Sequence, residues 1–410
     1  MRPATAYVAA SATLVTLLVP GTAAAHAATY TCDRHRATIV GTAEDDHLVG
    51  TAGPDVIVAL GGDDRIESGA GDDIVCGLAG ADRIDGGPGD DQLFGGIDSW
   101  WSDRGGANRV GDRVLPGRGD DYVDLGSDRR PATGTLVRDS LVYSAVGHAV
   151  VADLSTNNAL VQAEGTDIVF VHGQMGVVGT AYDDTIIGSP KADTLKGLGG
   201  DDHLEGRGGD DLLLPGGGAD SADGDFGDDA IDSWAGADTL TGGPGNDFVT
   251  TQGNPDVATV GLGPGADQLN TNVRPRGGFD ADAGTGRDTI VLGYTRHHDL
   301  PAADLDLVSG TVTLGASATG RLASFEWWVM LDDQPLTIHG TDAAERIEAG
   351  GHGPVRAWMA GGDDAVFASG FDDYVDSGAG NDLVWAYDGT DTCLNTERAR
   401  SCEVRATSLG

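Results

Sequence analysis

Aspartate recurs every nine residues along three stretches of this chain, and carboxylates at a fixed period are suited to holding cations. The first stretch runs through Asp46, Asp55, Asp64, Asp73, Asp82 and Asp91. The second runs through Asp184, Asp193, Asp202, Asp211, Asp220, Asp229, Asp238, Asp247 and Asp256, and the third through Asp364, Asp373, Asp382 and Asp391. Isolated units recur at Asp112, Asp121, Asp267 and Asp288. The departures are Glu345 in place of Asp in the unit beginning at Gly340, Val355 where an Asp is expected, and Ala222 in the apolar slot after Asp220. Those sites are expected to be weak or empty.

Acids outnumber bases, 65 Asp and Glu against 25 Lys and Arg, for a formal net charge of −40. Such a chain repels itself unless something cationic offsets the charge. Calcium suits the pattern, because a hard cation takes about six to eight oxygen ligands and glycine-rich turns can aim main-chain carbonyls at it. Magnesium fits less well, since it sheds water reluctantly. Nucleic acid is excluded as a partner, because phosphate binding needs clustered cations and Lys191 and Lys196 are the only lysines.

Catalytic signatures are missing. The ten histidines hold no His-Glu-x-x-His pair, as a zinc protease needs, and adjacent His297 and His298 would point to opposite faces of a strand. No Gly-x-Ser-x-Gly elbow is present. The reading is therefore a non-enzymatic, calcium-dependent structural or adhesive module. A β-helix polysaccharide lyase, hydrolase or epimerase stays open as the alternative. Carboxylate pairs are abundant, and Trp100 with Trp101, or Trp327 with Trp328, could stack on sugar rings. A cell surface or a polysaccharide is the remaining partner class.

The elements that position the aspartates follow from their neighbours. Gly86, Gly87 and Gly89 precede Asp91, and Gly242, Gly243 and Gly245 precede Asp247. Two positions after the aspartates come Leu48, Ile57, Ile66, Val75, Ile84 and Leu93, then Ile186, Leu195, Leu204 and Leu213, then Val366, Val375 and Val384. Each unit thus reads as a glycine-rich turn followed by a short strand with one inward side chain. One aliphatic per unit builds a core only if coils stack and align these residues.

The units resemble the RTX (repeats-in-toxin, hemolysin-type) calcium-binding nonapeptide, Gly-Gly-x-Gly-x-Asp-x-aliphatic-x. The resemblance implies an all-β fold: a right-handed parallel β-roll or β-helix solenoid with interspersed longer β-rungs and two nonapeptides per coil. It also implies calcium between turns two units apart, held by the Asp carboxylate and turn carbonyls. Asp46 would share an ion with the turn of Asp64, Asp55 with that of Asp73, and so on through all three runs. On the order of ten ions would be bound.

The organisation expected is a signal peptide at 1–27, a first repeat run at 28–94, and an insertion with two repeat units and β-rungs at 95–178. A second run at 179–291, β-rungs at 292–339, and a third run with a C-terminal cap at 340–410 follow. Residues 95–106 and 270–282 read as loop insertions. Arg2, the apolar stretch from Ala6 to Val19, and small residues up to Ala27 spell an export signal, so a secreted, extracellular protein is expected. No later segment is apolar enough to span a bilayer. Four cysteines leave three disulfide connectivities open; Cys32 with Cys76 and Cys393 with Cys402 are expected, because each local pairing would pin one terminus of the stack.

Overall fold

A computed structural model describes residues 29–97, 111–126, 139–156, 158–163, 166–170, 174–251, 258–271, 279–292, 303–314, 318–330, 334–349 and 353–406. The chain divides into two compact units, Met1–Thr194 and Leu195–Gly410. Among the described residues every regular element is a strand, none is a helix, and parallel stacked coils form a β-solenoid. Among the described residues no helix is long and apolar enough to cross a membrane. The expected signal peptide, residues 98–106 of the expected loop at 95–106 (whose first three residues end the strand Gln92–Ile97), Trp100, Trp101, His297 and His298 lie outside the described residues.

In the first unit two parallel sheets run along the stack. One aligns Leu48, Ile66, Ile84, Val114, Leu141 and Val177 in direct register. The other aligns Ile57, Val75, Leu93, Val123 and Val169. All but Val177, which follows Met175, lie two residues after an acid, and all except Leu48 are fully buried. Successive side chains of a strand face opposite ways, so each short strand delivers one aliphatic inward and leaves its neighbours outward.

The second unit repeats the arrangement. Leu213, Ile231, Val249, Leu269, Ile290, Trp328, Ile347, Val366 and Val384 form one buried file. Leu204, Ala222, Leu240, Val260, Ala281 and Leu322 form part of the other. Trp328 fits an aliphatic slot because its indole Nε1 donates to the Phe325 carbonyl at 3.1 Å. Ala222 occupies its slot at 1% exposure.

The non-repeat stretches continue the sheets of their own units through the same device. In the first unit Thr166–Phe170 stacks in parallel on Tyr122–Gly126. The antiparallel strand Asn158–Gln162 then leads to Val151–Asp153, which pairs in parallel with Thr185–Ile187. In the second unit Ala318–Ala323, antiparallel Thr311–Leu314 and Ala303–Asp306 do the same between Phe279–Gly286 and Leu336–His339. The expected longer rungs are therefore present, each with one antiparallel strand that the all-parallel expectation lacked. The expected loop at 270–282 carries strand residues at both ends, in Gln268–Thr271 and Phe279–Gly286.

Disulfides join Cys32 to Cys76 and Cys393 to Cys402, the two expected local pairings. The first sits in a buried cluster with Val58 and covers the N-terminal strand. The second closes nine residues at the last coil.

Candidate metal centre

The turns explain why the aspartates fall where they do. In the unit of Asp91, Gly87 has φ of +79° and Gly89 of +146°, conformations that side chains resist. A Cβ on Gly86 would lie 2.8 Å from Asp91 Oδ2, and one on Gly242 would lie 2.5 Å from Asp247 Oδ2 and 2.6 Å from the Leu262 carbonyl oxygen. The glycine five residues before each of these acids thus leaves open a small space faced by a carboxylate oxygen and a main-chain carbonyl.

The acids form ladders along the coil edges. Along each ladder Oδ1 of an aspartate accepts the backbone N–H of the acid one coil earlier. In the first unit Asp46 N–H reaches Asp64 at 2.7 Å, Asp64 reaches Asp82 at 2.9 Å, and Asp82 reaches Asp112 at 2.8 Å. Its second ladder joins Asp55 to Asp73, Asp73 to Asp91 and Asp91 to Asp121, each at 2.8 Å. In the second unit the ladders join Asp202 to Asp220 and Asp238, and Asp211 to Asp229, Asp247, Asp267 and Asp288. Glu345 leads to Asp364 and Asp382, and Asp373 to Asp391. The pairing two units apart is the one expected for shared sites.

Of the expected ligand residues, Asp184 and Asp193 lie in the first unit, and Asp256 lies outside the described residues. The register there advances by twenty residues, from Thr239 to Thr259, which sets Ala258 opposite Asp238.

Glu345 keeps a place in its ladder despite the longer side chain, and Val355 offers its N–H to Asp373 at 2.7 Å. The ladders also enlist acids that no glycine frame announces. Asp112 N–H donates to Asp139 at 2.9 Å, Asp121 to Asp167 at 3.2 Å, Asp288 to Glu326 at 2.8 Å, Asp382 to Glu397 at 2.8 Å and Asp391 to Glu403 at 2.6 Å. The signal that could have found several of them is the triplet acid-x-apolar, as in Asp139-Ser140-Leu141, Asp167-Ile168-Val169 and Glu326-Trp327-Trp328.

A second carboxylate ladder runs beside the first in the opposite sense. Where the residue just before the ladder acid is itself an exposed aspartate, it accepts the N–H one coil later: Asp45 from Asp63 at 3.0 Å, Asp90 from Asp120 at 3.0 Å, Asp228 from Asn246 at 2.7 Å. Where an acid stands in that position, the gap between coils is bridged by one carboxylate from above and one from below.

The electrostatics are unfavourable without a cation. Asp64, Asp91, Asp121, Asp220, Asp229, Asp247, Asp267, Asp288 and Asp391 each bury Oδ2 with no hydrogen-bond partner. Buried acceptors left so are costly. Burial, reinforced by the charges of Asp121 and Asp73 and only partly offset by the Asp73 N–H, pushes Asp91 up to about 8. Burial likewise raises Asp121 and Asp247 to about 7, with neighbouring carboxylates adding to it. The ion pairs Arg65 with Glu67 and Arg207 with Glu205 sit beside the ladders on partly exposed side chains.

Some acids find protein donors instead. The Tyr143 hydroxyl, fully buried, donates to Asp167 Oδ2 at 2.9 Å. At Asp55 burial is the largest influence, yet the Thr51 hydroxyl and N–H and the Thr38 hydroxyl together outweigh it and lower the carboxyl below its ordinary value.

Among the described residues no three His, Cys, Asp or Glu side chains converge as a metal cluster. A cation on this edge would be held by one or two carboxylates together with main-chain carbonyls. That all-oxygen donor set, with its partnerless buried oxygens, fits calcium.

A family model described as the RTX calcium-binding nonapeptide repeat (4 copies) matches residues 40–75, 77–99, 178–213, 215–249 and 360–393. Asp121, Asp139, Asp167, Asp267, Asp288 and Glu326 extend the ladders beyond those matches. No curated protein matches the chain.

Proposed function

The chain carries RTX calcium-binding nonapeptide repeats, and on that premise we propose that it is a secreted, non-catalytic structural or adhesive module that folds on meeting extracellular calcium. The observation that carries this reading is the row of buried Oδ2 atoms without hydrogen-bond partners, from Asp64 and Asp91 to Asp247 and Asp391. A bound calcium ion would supply those oxygens with a ligand and the coil edge with positive charge.

The ligands are the repeat aspartates Asp64, Asp73, Asp82, Asp91, Asp202, Asp211, Asp220, Asp229, Asp238, Asp247, Asp364, Asp382 and Asp391, with turn carbonyls. This chain's own residues do the rest. The glycine turns keep the space open, the N–H one coil earlier fixes Oδ1, and the aliphatic files hold the coils in register. Because the sites are shared between coils, an unfolded chain lacks them, and binding free energy becomes folding free energy. Scarce calcium inside the cell would leave the chain loose for export through the signal spelled by Ala6 to Val19.

The test is an ion count. The purified chain, equilibrated with calcium and freed of excess, is expected to retain several ions per molecule, released by EDTA. Retention of none would refute the reading.

A further inference from the structure

Six acids are held in a manner the other turns do not share. The backbone N–H of Thr42 donates to Asp46 Oδ2 at 2.5 Å, and its hydroxyl does so at 2.9 Å. Thr51 binds Asp55 at 2.7 and 2.8 Å, and Thr180 binds Asp184 at 2.6 Å through N–H and 3.0 Å through its hydroxyl. Ser369 binds Asp373 at 2.9 and 2.8 Å. Ser189 reaches Asp193 with its N–H at 2.6 Å, and Thr341 reaches Glu345 Oε1 with its N–H at 3.0 Å and with its hydroxyl.

The donor always stands four residues before the acid, in the place taken in most other turns by a residue of positive φ, such as Leu60 at +83° or Gly243 at +106°. None of the six has positive φ. The same Gly-Thr-x-x-x-Asp spelling recurs from Gly134 to Asp139, where 127–138 lie outside the described residues.

These acids open the runs, and the coil beneath four of them holds no acid. Register sets Ala37 beneath Asp55, Val150 beneath Asp184, Met175 beneath Asp193 and Val355 beneath Asp373. A site shared by two turns is incomplete where only one turn is acidic. There the protein supplies the donor itself.

We propose that these Thr and Ser turns are built-in end caps, in which hydroxyl and amide donors replace the cation, so that each run starts from a rung folded without calcium. Calcium loading is then confined to the turns that lack this donor four residues before the acid. The inference rests on the calcium reading above. It removes Asp46, Asp55, Asp184, Asp193 and Asp373 from the ligands that the nine-residue pattern implies.

The test compares bound calcium in Asp55→Asn and Asp91→Asn of the full chain, together with amide hydrogen exchange of the parent in EDTA. Asp55→Asn is expected to keep the parent's ion count and Asp91→Asn to lose at least one ion. In EDTA the amides of Thr42, Thr51 and Thr180 are expected to stay protected while those of the Asp64 and Asp91 turns exchange. Equal ion loss in both variants, no loss in either, or uniform loss of protection would overturn the end caps while leaving calcium binding intact. If a variant fails to fold, the exchange pattern of the parent decides alone. No calcium on the parent would overturn the functional reading itself.

Discussion

Asp91 Oδ1 accepts the backbone N–H of Asp73 at 2.8 Å, while Oδ2 of the same carboxylate lies buried with no hydrogen-bond partner. One side chain thus fastens two coils and leaves one oxygen directed into the gap between them. Both halves of that arrangement have measurable consequences.

Replacing Asp91 by Asn keeps an Oδ1 acceptor for Asp73 and removes the buried charge. In EDTA near neutral pH the variant is expected to melt above the parent, because the uncompensated carboxylate is gone. In saturating calcium it is expected to melt below the parent. Thermal unfolding in both buffers checks the crossing, and a variant less stable than the parent in both would contradict it.

The raised carboxyls fix the sign of a pH dependence. Asp91 near 8, with Asp121 and Asp247 near 7, all lie well above the ordinary carboxylate range. Groups raised in the folded state favour folding below their unfolded value and lose that contribution as pH rises through the folded one. The metal-free stack is therefore expected to be firmer at about pH 5 than at about pH 8. Calcium binding should release protons across that window and weaken on acidification. Calorimetry in two buffers of different ionisation enthalpy measures the protons; no release would count against the buried-carboxylate account.

Leu204 is fully buried and faces Ala222 in its file. Leu204→Ala leaves a cavity beside a residue already small, so about 2–5 kcal/mol of destabilisation is expected in calcium. Chemical denaturation reads it, and a loss under about 1 kcal/mol would mean that the files pack loosely.

The Cys32–Cys76 disulfide closes a loop with a sequence separation of 44. Cys32→Ser with Cys76→Ser is expected to cost about 2–5 kcal/mol and to expose the N-terminal strand. Hydrogen exchange at Thr31–Cys32 and Val56–Gly61 follows the fraying; unchanged exchange would make the bridge dispensable.

Much of this was legible in the sequence because one nonapeptide carries both signals: the aliphatic at Leu204 sets the core and the acid at Asp202 sets the edge. Ladder members such as Asp139, Asp167 and Glu326 were not legible from the nine-residue spacing, since spatial succession replaces fixed spacing once insertions separate coils, and only the weaker acid-x-apolar triplet marks them. Asp82 and Asp112 are thirty residues apart, and Asp121 and Asp167 forty-six. The antiparallel strands Asn158–Gln162 and Thr311–Leu314 were equally hidden, because alternation alone does not state strand direction. Thr51 was passed over because a hydroxyl in place of glycine reads as a lapse in the pattern, whereas its donors satisfy Asp55.

The central claim, that cations complete the stack, is tested most directly by far-ultraviolet circular dichroism of the full chain at neutral pH, in EDTA and after calcium is restored. The account predicts that β-signal is reduced in EDTA and rises to its full value when calcium is added. The same full β-spectrum in both conditions would contradict it.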